Sequence, residues 1–120
     1  MKNKTLVLGA SLKAERYSNR AIINLVAHSE PTLAVGLKEG DVAGVTIQKG
    51  KPAFKNIETV TLYLNAKRQK DYYNYIIALK PQRVIFNPGT ENKELMDLLT
   101  KNNIDFEVAC TLTLLATNQY

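Results

Sequence analysis

The chain is short of the residues that staple or metallate small domains. It has one cysteine, Cys110, and one histidine, His28, in 120 residues. A lone cysteine closes no internal disulfide, so a disulfide-held secreted scaffold is excluded. One cysteine with one histidine cannot assemble a Cys/His zinc site, and a Ser-His-Asp triad would have to use His28 as its base. Six glycines and four prolines are too few for a collagen-like or low-complexity chain. Long apolar runs are missing as well. After the basic start Met1-Lys2-Asn3-Lys4, the first apolar stretch is only Leu6-Val7-Leu8-Gly9-Ala10, too short for a signal core or a bilayer span. These absences lead to the expectation of a cytoplasmic protein with no membrane attachment.

What is present is ordinary globular material, 45% hydrophobic and 22% charged, sufficient to fill one core. The length predicts a single domain over residues 1–120. Charge is uneven. Residues 1–83 hold 14 Lys/Arg against 6 Asp/Glu (+8), and residues 84–120 hold 2 against 5 (−3). The basic balance, with a sequence pI near 9.4, points to an anionic partner without choosing between a polynucleotide and a small phosphorylated ligand.

Short β-branched runs alternate with helical patterns. Strands are predicted at 5–8, 32–35, weakly at 44–47, and at 60–64, 83–86 and 106–109. Helices are predicted at 18–27 with Ser18 as N-cap, at 67–79 ended by Pro81, and from a Thr90 cap to 101. Residues 111–120 read as a tail. This order implies an α/β fold, a doubly wound, mainly parallel sheet with helices on both faces. Ligands of such sheets bind outside the strand carboxyl ends, where the strand order reverses.

Candidate site residues follow from that rule. After the first strand come Gly9, Ala10, Ser11, Lys13 and Arg16, leading into Ser18, Asn19 and Arg20. A glycine turn, a helix start and three cations suit a phosphate, although the further glycines of a dinucleotide fingerprint are absent. The second strand runs into Gly36 and Lys38, where an NAD site would place an acid. A lysine there favours a ligand with an extra ribose phosphate, which NADP and coenzyme A both carry. Asn65 follows the next long strand and is placed to bond a base or amide. Asn87-Pro88-Gly89 follows the strand at 83–86, with Glu91 expected in the first helical turn, and shapes a pocket wall.

Leu8-Gly9-Ala10-Ser11, Ser18-Asn19-Arg20-Ala21, Asn87-Pro88-Gly89-Thr90-Glu91-Asn92 and the late Cys110 resemble the small stand-alone CoA-binding domain proteins, which are similar to the N-terminal domain of the succinyl-CoA synthetase alpha subunit. The resemblance runs from about residue 4 to 115 in the same element order. It implies a single Rossmann-like domain that binds coenzyme A or an acyl-CoA. Gly9–Ser11 and Ser18–Arg20 would then hold phosphates, and the turn at Lys38 would face the 3′-phosphate. The chain differs from the family at Val35-Gly36-Leu37, where members often carry Asn-Pro, and at Asn65-Ala66-Lys67, commonly Pro-Glu.

The other polar residues carry less. His28 sits at a helix end far from the strand carboxyl ends, where a cation complements the dipole. Cys110 has no flanking cation to activate it. Tyr72, Tyr73 and Tyr75 fit core packing better than base stacking. With no nucleophile and base in suitable positions, the expected role is non-catalytic binding or regulation of a small-molecule nucleotide cofactor, with a protein partner or self-assembly possible. NADP binding and a nucleic-acid surface are the alternatives.

Overall fold

The computed structural model describes residues 3–120, so Met1 and Lys2 of the N-terminal start lie outside the described residues. The elements are β1 (Lys4–Ala10), α1 (Tyr17–Ala27), β2 (Thr32–Gly36), β3 (Gly40–Val42), β4 (Val45–Gln48) and β5 (Ile57–Leu62). There follow α2 (Ala66–Gln69), a 3-10 turn (Lys70–Tyr72), α3 (Tyr73–Leu79), β6 (Arg83–Phe86), α4 (Lys93–Lys101), β7 (Asp105–Val108) and α5 (Thr111–Ala116). The seven strands form one sheet in the order β3-β4-β2-β1-β5-β6-β7. All pairings are parallel except β3 with β4.

Side-chain alternation along the central strand divides the core into two layers. Leu6 and Leu8 of β1 point into one layer with Val60, Phe86, Ile76 of α3, and Leu95 and Leu99 of α4. Val7 points into the other with Ile22 and Leu25 of α1, Ile47, and Leu115 of α5. Both faces of β1 are thus covered. That is why Thr5–Leu8 are buried without a polar face, as in an interior parallel strand.

Several expected boundaries move. The weak strand at 44–47 is β4, and it turns out to be half of a hairpin: β3 pairs with it through Gly40↔Ile47 and Val42↔Val45. The helix expected at 67–79 is broken by the 3-10 turn. Its end is as expected, with Lys80 left-handed at φ 50 ahead of Pro81, a residue that disfavours helix before it. The tail after 110 contains α5, which packs on α1. Two caps are reassigned. Helix α1 begins at Tyr17 with Arg16 as N-cap and no side-chain cap bond, so Ser18 lies inside the helix, buried. The cap of α4 is Asn92, whose side chain accepts from the Leu95 N–H, while the Thr90 hydroxyl donates to the Asn87 carbonyl. Glu91 therefore precedes the helix, and its carboxylate accepts from the Gly89 N–H at 2.8 Å.

A candidate site at the strand carboxyl ends

Successive strands step outward from β1 in one direction through β2 and from β5 in the other. The order reverses between β1 and β5, and the crevice belongs outside their carboxyl ends. Helix α1 starts there.

The β1 side is tight in its backbone and open in its side chains. Gly9 has φ 97 and sits where the β1–β2 register shifts between Leu8 and Ala10, a bulge that only glycine takes without strain. A Cβ on Gly36 would lie 2.2 Å from the Ala10 carbonyl oxygen, so the ends of β1 and β2 touch main chain to main chain. The loop after β1 then folds back on itself. Ser11 Oγ accepts the Lys13 N–H, and Asn19 Nδ2 donates to the Ser11 carbonyl at 2.9 Å. Asn19 is buried by this bond, so it holds the loop and does not face solvent. The Leu12 side chain reaches the backbone of Gly40, bringing this loop against the turn that carries Lys38. Lys13, Arg16, Arg20 and Lys38 are all exposed. The two salt bridges among the described residues, Arg83–Glu107 and Lys93–Asp97, use none of them. Arg20 rests over the Tyr17 ring at 5.6 Å.

The start of α1 has no side-chain cap and no acid in its first turn. Its unsatisfied N–H groups and the positive end of its dipole face the carboxyl ends among these cations, an arrangement that an anion would complete.

The β5–β6 side is the reverse. Asn87 is buried, and every polar atom of its amide is engaged. Nδ2 donates to Thr61 Oγ1 at 2.6 Å and to the Leu62 carbonyl at 2.9 Å, and Oδ1 accepts the Thr111 N–H at 2.9 Å. It joins β5, β6 and α5, so it is not free for a ligand. Gln69, fully buried, donates to the carbonyls of Leu64 and Thr90 and accepts from Asn92. Asn65 was expected to meet a base or amide, but its Oδ1 caps α2 by accepting the Arg68 N–H. The Gly89 N–H is taken by Glu91. Pro88 and Gly89 are exposed and form the rim. Gln69 was missed from the sequence, where a glutamine inside a helix carries no mark of burial, and Asn92 was read only as part of the Asn87–Asn92 run, without its buried bond to Gln69.

Two other groups border this side. Burial pushes the Tyr63 hydroxyl up to about 12, the Thr111 and Thr61 hydroxyls working the other way. Burial also acts to raise the Cys110 thiol. Hydrogen bonds from the Thr113 side chain and from the Thr113 and Leu112 backbone outweigh it, and the thiol ends below its ordinary value. His28 lies at the far end of α1 with Nδ1 2.8 Å from the Asn24 carbonyl. A shallow cavity lies beside it, lined by His28, Glu30, Leu115, Asn118 and Tyr120, away from the strand carboxyl ends. The three tyrosines pack on the core, and Tyr75 donates to the Pro52 carbonyl. No helix among the described residues is long and apolar enough to cross a membrane.

A family model described as the CoA binding domain matches residues 3–116. The chain is similar over 100% of its length, and 99% of the other's, to the crystal structure of an uncharacterized protein, with 44% identity and a TM-score of 0.95. In fold it is similar to cell-free ID.343 from Thermus thermophilus, at 16% identity, 99% and 91% coverage and a TM-score of 0.87. A hypothetical protein from Pyrococcus horikoshii OT3 matches at 25% identity, 93% and 80% coverage and a TM-score of 0.82. No curated protein matches.

Proposed function

Since the chain belongs to the CoA binding domain family, we propose that residues 1–120 act as one domain that holds coenzyme A or an acyl-CoA at the carboxyl ends of β1 and β2. The observation that carries this reading is the uncapped start of α1 set among Lys13, Arg16 and Lys38, none of them ion-paired among the described residues. The diphosphate would lie on the first turn of α1 and the Gly9–Ser11 bulge, with Lys13 and Arg16 as counter-charges. Lys38 would face the ribose phosphate. Coenzyme A would bring its own thiol or thioester, and this chain's residues bind and orient it.

The role is binding or regulation. His28, the one histidine of the chain, lies at the C-terminal end of α1 and Cys110 follows β7, so among the described residues no imidazole stands beside the thiol, which supports a binding role. NADP shares the extra ribose phosphate and is the competing ligand.

The test is a thermal shift with coenzyme A, dephospho-coenzyme A and NADP at equal concentration. A ligand at 100 times its dissociation constant adds about 2.7 kcal/mol, several degrees in a chain of this size. The expected result is a shift with coenzyme A that shrinks with dephospho-coenzyme A. A larger shift with NADP transfers the site to that cofactor, and no shift with any of the three overturns the reading.

A further inference from the structure

The cations at the carboxyl ends fall into two groups, and the proposed ligand accounts for only one. The second lies on the 66–72 segment. Gln69 is fully buried and bonded inward to Leu64 and Thr90. The helical turns around it therefore project Lys67, Arg68 and Lys70 outward, and all three are exposed. Lys51, at the carboxyl end of β4, joins them by lying over the Tyr72 ring at 5.5 Å. None of the four forms an ion pair among the described residues. Carboxylates nearby in the chain or on the segments it bonds are Asp71, Glu91, which accepts from the Gly89 N–H, and Glu94, which accepts from Tyr73. The cluster keeps a net positive charge.

We propose that this face docks an acidic segment of a protein partner, beside the nucleotide site and separate from it. Its charge suits carboxylates, and its aromatic ring is unavailable to a base. Lys51 lies over Tyr72, and the edge-to-face contact with Tyr75 holds the ring against the core. The inference does not rest on coenzyme A binding.

The test measures fluorescence anisotropy of a labelled oligo-glutamate peptide and of an oligo-uridylate of equal charge, at about 20 mM and about 150 mM salt. Two variants of equal charge change are compared with the parent, K67E/K70E and K13E/R16E, each verified as folded by circular dichroism. Expected is peptide binding about tenfold weaker in K67E/K70E and little changed in K13E/R16E, with the uridylate bound more weakly than the peptide. An equal loss in both variants would mean attraction to net charge alone and overturns the proposal. Tighter uridylate binding hands the surface to nucleic acid, and absence of peptide binding overturns it too. Coenzyme A titration of the same variants keeps the two readings apart. K13E/R16E should lose the cofactor and K67E/K70E retain it, whatever the peptide does.

Discussion

The two sides of the crevice use similar polar residues to opposite ends. On the β5–β6 side, helix starts are capped by Asn65 and Asn92, the first N–H of α5 is taken by Asn87, and Gln69 ties two loops together. On the β1–β2 side, α1 starts with no side-chain cap, and the exposed cations form no ion pair among the described residues. One side is saturated by the protein itself, and the other is left for something else to saturate. The difference separates residues that the protein itself engages from the cations that the proposed function assigns to a ligand.

The contrast is broken most forcefully at Asn87. Asn87→Ala strands the Thr61 hydroxyl, the Leu62 carbonyl and the Thr111 N–H in the interior, and urea melts should show a loss of about 3 kcal/mol. A loss below about 1 kcal/mol would mean that water replaces the amide and that this side is open after all. Alkaline titration comes next. The Tyr63 hydroxyl is raised from 10 to about 12 in the folded chain. Its contribution is therefore fully present below pH 10 and is lost as the pH rises through about 12. Roughly 2 kcal/mol from this group should disappear over that window; burial also raises the Tyr75 hydroxyl to about 12, so Tyr63→Phe should remove only Tyr63's share of the decline. Smaller again is Asn65→Ala, which removes one cap at a cost of about 1 kcal/mol and should leave cofactor affinity near the parent's. The smallest effect on stability is expected for the double variant Lys13→Ala/Lys38→Ala. Exposed and unpaired, these side chains should change unfolding by less than about 0.5 kcal/mol, while calorimetric titration shows coenzyme A binding weakened by about tenfold or more. If the double variant unfolds easily but binds normally, the two sides have exchanged roles.

Much of the architecture could be read from the chain because its signals are local. The strand at 83–86 has the expected bounds, since an apolar run lies between Pro81 and Asn87-Pro88. The parallel order followed from alternation, whereas Gly9, expected to end the first strand in a tight turn, lies inside β1 as a bulge because the strand runs on to Ala10. What escaped reading was short or tertiary. β3 has three residues, Gly-Asp-Val, too few to alternate, and its turn at Ala43-Gly44 needs φ of 51 and 82 that alanine rarely signals. α5 is a six-residue helix rich in threonine, with no capping side chain. The site divides the same way. Cations on a loop announce themselves by type, but whether an asparagine bonds the protein or a ligand depends on strands far away in sequence. Asn87 bonds Thr61 and Leu62 of β5 on one side and Thr111 of α5 on the other, none of them its neighbour in the chain.

That same bond makes one amide a reporter on that side of the sheet. Six residues are too few for a helix that lasts in water on its own, so α5 depends on its packing against α1 and on the bond from Asn87. Asn87 is itself held by Thr61 and Leu62 of β5. The exchange of the Thr111 amide proton with deuterium therefore reads out whether β5, β6 and α5 are still joined.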